Sequence, residues 1–148
     1  MVGPTPRARK TERDRMEVIA QYCGCLPCLL MGWLDVHTSI EHVTDRGRRV
    51  GKGADQHKNT IGLCTWHHYG YCHGRTTMTN MAIKFGPALA HGRLVFEDHF
   101  GDETEVLVTT QDFMLELFAD NPWTEYSVPR GVARDVREKW ISLNHADR

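Results

Sequence analysis

Two ligand pairs of equal spacing, Cys25-Leu26-Pro27-Cys28 and Cys64-Thr65-Trp66-His67, constrain this chain more than any other feature. Two residues three positions apart around a turn can reach one ion, and two such pairs close a tetrahedral shell where one cannot. A Cys3His site from Cys25, Cys28, Cys64 and His67 would tie an N-terminal knuckle to the start of a helix, with Zn²⁺ as the expected structural ion. Cys23 competes with Cys25, but its spacing to Cys28 is less regular. The bland alternative is a set of buried, inert thiols.

The chain has 148 residues, 41% hydrophobic and 25% charged, the profile of an ordinary soluble domain or a domain with one appendage. That length supports a core without disulfides. No apolar run approaches membrane-spanning length, and the basic N-terminus carries no secretory h-region. A cytoplasmic location is therefore expected, where five cysteines mean metal or free thiols. The net charge of -1 hides an asymmetry. Residues 1–96 hold 13 Lys/Arg against 7 Asp/Glu, a balance of +6, and residues 97–148 hold 5 against 12, a balance of -7. The basic part suits a polyanion such as nucleic acid; the acidic part suits a helical cap or a protein-facing surface.

Residues 1–15 hold two prolines and five basic residues and read as a flexible basic arm. Glu17 to Tyr22 reads as a short helix or strand leading into CGCLPC, where Gly24 and Pro27 signal a tight turn. Val36, Thr38 and Ile40 alternate with polar residues, a strand pattern. Residues 45–60, with three glycines and five basic residues, read as a loop. IGLC is a very short strand, and a helix is expected from about Trp66. Residues 78–90 have helical spacing up to Gly86-Pro87, and RLVFEDHF reads as a strand. Residues 111–119 read as a helix with Asp112 as N-cap. A final helix over 129–143 carries Val132, Val136, Trp140 and Leu143 on one face. Trp66, Trp123 and Trp140 are expected in the core.

A second cluster lies beside the zinc ligands. Glu41-His42-Val43 ends a strand, a Gly/Arg loop follows, and Asn59-Thr60-Ile61-Gly62-Leu63-Cys64 leads into His67-His68. In this layout, over roughly residues 23–90, the chain resembles the HNH, or ββα-metal, nucleases. CLPCLLMGW, Glu41-His42-Val43 and LCTWHH with a further histidine, His73, are similar to the RecA-dependent recombination-enhancement (Ref) nucleases of phages. Glu41 stands where many relatives carry histidine or aspartate.

The resemblance implies an α+β fold: a small ββα-metal core with a zinc knuckle at 16–100, then a helical extension at 101–148. It implies a metal-dependent DNA endonuclease, phage-encoded and dependent on RecA filaments. His42 would be the base that activates water; a histidine near neutral pKa suits that task. Glu41, His68 and His73 would hold Mg²⁺ or another divalent ion, leaving positions for water and phosphate oxygens. Extended backbone puts Glu41 and His42 on opposite sides of the strand. His68 and His73 stand five apart, so the helix must break near Gly70. Asn59 would pin the loop, and Arg46, Arg48, Arg49, Lys52 and Lys58 would contact DNA phosphates. Cys72 is left spare, and no chemical role is expected of His37, His57, His91, His99 or His145. The competing class is a zinc-stabilised nucleic-acid-binding or protein-interaction module without catalysis. Such a module has no reason to keep Glu41, His42 and His68 together.

Overall fold

A computed structural model describes residues 10–45, 48–51 and 53–144, with the side chains of 45, 48, 49 and 53–55 outside that description. The chain opens with α1, Lys10–Val18, and continues without a break into a π turn, Ile19–Cys23. Residues 10–15, expected in a flexible arm, are therefore helical; residues 1–9 lie outside the described residues. Gly24, at φ 72°, ends the turn by donating its N–H to the Ile19 carbonyl. The left-handed conformation there suits glycine, because it would press a side chain against the backbone. α2, Leu26–Leu30, follows with Cys25 at its N-cap and Pro27 in its first turn, where a missing N–H costs nothing.

β1, Ser39–His42, pairs antiparallel with β4, Thr60–Leu63, in the register Ser39↔Leu63, Ile40↔Gly62, Glu41↔Ile61 and His42↔Thr60. The connection between them was expected to be plain loop. It contains a second two-stranded pair, β2 (Thr44–Asp45) with β3 (Arg48–Arg49), and a 3-10 turn, Gly53–Lys58. α3, Thr65–Tyr69, begins directly after β4 with Cys64 as its N-cap and stops at Gly70 in the left-handed region. The order strand, strand, short helix is a ββα unit.

α4, Met78–Phe85, starts where the Thr77 hydroxyl accepts the Asn80 N–H and ends at Gly86. RLVFEDHF is α5, Arg93–Phe100, and not a strand. Its buried residues are Phe96 and Phe100, four apart, while Leu94 and Val95 are 83% and 62% exposed. One buried stripe at helical period satisfies the core, and alternation never enters. The next helix also starts earlier than expected. Asp102 caps it by accepting the N–H groups of Thr104 and Glu105, and a π turn, Glu103–Val108, runs into α6, Thr109–Asp120. Asp112 thus sits inside the helix and pairs with Arg15 instead. α7, Arg130–Asn144, buries Val136 and Trp140, the face expected.

The larger core joins Leu26, Leu29 and Leu30 of α2 to Ile61 and Leu63 of β4, Phe96 and Phe100 of α5, Leu107 and Met114 near α6, and Val136 and Trp140 of α7. The C-terminal helices therefore share one hydrophobic cluster with the sheet. Of the four tryptophans, the three expected in the core are buried, and each indole N–H meets a backbone carbonyl: Trp66 on Gly86, Trp123 on Tyr22 and Trp140 on Phe100. Such partners allow a large apolar ring with one polar atom to enter a core.

Candidate metal centre and active site

The pairs spaced for one ion meet. α2 brings Cys25 and Cys28 from its first turn, and the β4–α3 junction brings Cys64 and His67; all four are buried, with their ligand atoms within 4.8 Å of one another. His67 Nδ1 lies 3.4 Å from Cys25 Sγ, 3.4 Å from Cys28 Sγ and 3.3 Å from Cys64 Sγ, and the Cys28 and Cys64 sulfurs are 3.6 Å apart. Tetrahedral zinc, with Zn–S of about 2.3 Å and Zn–N of about 2.0 Å, spaces its ligand atoms roughly 3.5–3.8 Å apart. The four residues fit that shell. His67 Nε2 lies 2.7 Å from the Phe85 carbonyl, which can only accept, so Nε2 carries the proton and Nδ1 turns its lone pair to the sulfurs. Burial pushes the Cys25 thiol up, hydrogen bonds from its sulfur neighbours push Cys28 up, and those from Cys25 and Cys28 hold Cys64 down. Negative charge in an apolar pocket is what a cation relieves. Cys23 stays outside the group; burial pushes its thiol up to about 12, so it is a neutral core residue. Cys72 packs against the smaller apolar cluster around this centre, which includes Trp66 and Met81.

On the outer side of α3 a second group assembles. His68 Nε2 is 2.6 Å from Glu41 Oε2, and both side chains keep partial access to solvent, at 19% and 13%. His68 Nδ1 sits 3.3 Å from the Ser39 hydroxyl, which donates to the Leu63 carbonyl. Neighbouring positions on α3 thus divide the work: His67 faces the buried sulfurs and His68 reaches back to β1. His73 is not brought into this group. Its ring lies 5.2 Å, centroid to centroid, from Phe85, and Glu41, His68 and His73 do not all come within 4.8 Å of one another. Among the described residues the Cys3His set is the one group of three or more potential ligands that close.

His42, the last residue of β1, projects to a different neighbour from Glu41, as alternation requires. Its Nε2 lies 2.9 Å from Nδ1 of His57, in the 3-10 turn, with the rings edge-on. Asn59 donates from its side chain to the Val50 carbonyl, and its own carbonyl accepts the Val43 N–H. Both bonds hold the long connection against the end of β1. Lys58 is exposed on that connection; Arg46 and Lys52 lie outside the described residues, as do the side chains of Arg48 and Arg49.

Two residues without an expected role belong to this region. One is His57, 5% exposed within a polar, Gly-rich stretch. Its only sequence signal was a histidine two positions before Asn59. The other is Glu103, 1% exposed, 2.9 Å from Arg93. Burial pushes its carboxyl up to about 7; Arg93 opposes this and Glu41 adds to it. Arg93 also donates to the backbone and hydroxyl oxygens of Thr44, beside the end of β1.

The arrangement defines a small α+β protein built around a Cys3His cluster with the geometry to hold a metal ion, with a carboxylate–imidazole pair and a histidine pair on its central hairpin. The family model for recombination enhancement, RecA-dependent nuclease, matches residues 8–115, well over half of the chain. The chain belongs to that family, and its enzyme class is nuclease. No curated protein and no solved structure matches it. Among the described residues, no helix is long and apolar enough to cross a membrane.

Proposed function

We propose that the chain is an HNH-type, metal-dependent DNA endonuclease that acts with RecA filaments. The observation that carries this reading is the 2.6 Å contact between Glu41 on β1 and His68 on α3, one residue from His42. A carboxylate and an imidazole held together with solvent access are a suitable two-ligand platform for a divalent ion. Glu41 and His68 would hold such an ion, which would supply charge stabilisation for the phosphoryl oxygens and the leaving oxygen. His73 is left out of that platform. The Cys3His centre holds structural zinc, which fixes α3 and hence His68.

The phosphodiester lies across the end of β1. His42 takes a proton from water, the hydroxide attacks phosphorus, the bond to the leaving oxygen breaks, and that oxygen takes a proton from solvent. Asn59 orients the connection, and Arg46, Arg48, Arg49, Lys52 and Lys58 bind phosphates without regard to sequence.

The test is cleavage of supercoiled plasmid and single-stranded circular DNA with Mg²⁺ or Mn²⁺, with and without RecA filaments, beside a zinc-loaded His42→Ala variant. Expected is cleavage that needs the divalent ion and RecA and vanishes in the variant. Cleavage without RecA would remove the partner from the proposal. DNA binding without cleavage under every condition would make the chain a zinc-stabilised binding module.

A further inference from the structure

His57 is a buried polar ring between half-buried Gln56 and exposed Lys58. Its Nδ1 stands 2.9 Å from His42 Nε2, with the rings 5.0 Å apart at 75°. The backbone of His57 is held as firmly as its ring. The Thr60 hydroxyl donates to the His57 carbonyl at 3.0 Å, and Thr60 is the residue directly opposite His42 in the sheet. Thr60 is itself clamped: Arg15 of α1 donates to its hydroxyl at 3.1 Å and to its carbonyl at 2.8 Å. Arg15 in turn pairs with Asp112 of α6. A chain of contacts from two helices thus sets His57 relative to the strand that carries His42.

One hydrogen bond joins two imidazoles, so one nitrogen carries the proton and the other offers its lone pair. With Nε2 of His42 engaged, a base at His42 must act through Nδ1. That requires His42 to keep its own proton on Nε2 and donate it to His57. The opposite arrangement, with His57 donating, moves the proton of neutral His42 to Nδ1 and removes the base.

We infer that His57 is a positioning residue: it accepts the hydrogen bond from His42 Nε2 and so fixes the ring angle and the tautomer that leave Nδ1 as the proton acceptor. This rests on the reading of His42 as the base. A partner on the far ring nitrogen commonly selects the working nitrogen of a histidine; here a second imidazole fills that place.

The experiment uses the full zinc-loaded chain and two substitutions. His57→Phe keeps a ring and removes the acceptor. His57→Asn keeps an amide oxygen near the position of Nδ1. For DNA cleavage, His57→Phe is expected to lower kcat about a hundredfold, the low end of what a positioned general base contributes. KM should stay unchanged, and His57→Asn should recover most of the loss. Long-range ¹H–¹⁵N spectra should show His42 in wild type with its proton on Nε2, and as a mixture of tautomers in His57→Phe. Full activity of His57→Phe beside an inactive His42→Ala overturns the inference and leaves the base assignment standing. An active His42→Ala overturns the base assignment, and with it this one. If His57→Phe does not fold, the wild-type spectrum still decides: a His42 proton on Nδ1 overturns the inference.

Discussion

His68 and His73 were expected to act together, and the structure separates them. His68 touches Glu41, whereas His73 lies against Phe85. Substituting His68 by Ala, or Glu41 by Gln, should therefore reduce metal-dependent cleavage about a thousandfold, several kcal/mol of lost charge stabilisation. His73→Ala should stay within about threefold of wild type, a difference of well under 1 kcal/mol. Cleavage rates measured across a Mg²⁺ titration check both, and a loss at His73 equal to that at His68 would restore it to the ligand set. The Gly70 break was legible, because i to i+5 spacing and a glycine between are visible in one dimension. Which of His68 and His73 meets Glu41 was not. It depends on where α4 delivers Phe85, which no local pattern encodes. His57 was illegible for the same reason, since a lone histidine in a polar loop carries no sign of burial.

Elements were readable where one period dominated. α7 showed one apolar stripe and folds as expected, while α5 was mistaken for a strand because eight residues hold few turns with which to separate the two periods. Close approach between elements left a mark only in glycines. A Cβ at Gly62 would run into the Gly24 carbonyl oxygen and press on Thr38 and Ile19, so β4 and the end of the first helix touch there through bare backbone. Gly62→Ala should cost about 2 kcal/mol in denaturant unfolding, the scale of overpacking a core. The Asp102-capped helix start carries a pH dependence through Glu103. Its folded-state carboxyl titrates at about 7 against an ordinary 4.5, so the folded chain holds that proton more tightly than the unfolded one. The resulting stability is present below pH 4.5 and is lost as pH rises through 7. Glu103→Gln removes this slope. The stability of the Gln variant minus that of wild type, followed by urea unfolding from pH 5 to pH 8, should rise by on the order of 3 kcal/mol. A flat difference would show that Arg93 already compensates the buried charge in full.

For the molecule as a whole, the Cys3His centre ties α2 to the β4–α3 junction while the larger core joins the sheet to α5, α6 and α7. Chelation should therefore loosen the fold without abolishing it. Zinc held at a thousand times its Kd contributes about 4 kcal/mol by mass action, and its removal should lower Tm by on the order of 10 °C. Calorimetry with and without chelator checks this; an unchanged Tm would mean that the thiols are an ordinary core cluster. Ligand spacing and charge distribution were determined by the sequence alone, because covalent neighbours share a turn or a strand end whatever the rest of the fold does. Cys25 with Cys28, Cys64 with His67, and Glu41 beside His42 are pairs of that kind. Which pairs meet was decided only by tertiary structure. Glu41 reaches His68 through the β1–β4 register, His42 reaches His57 because Thr60 and Arg15 hold the 3-10 turn in place, and Glu103 is buried beside Arg93 because the π turn before α6 packs against α5. Contacts between residues far apart in the chain depend on how whole elements pack, and packing is settled by the shape and volume of the assembled core.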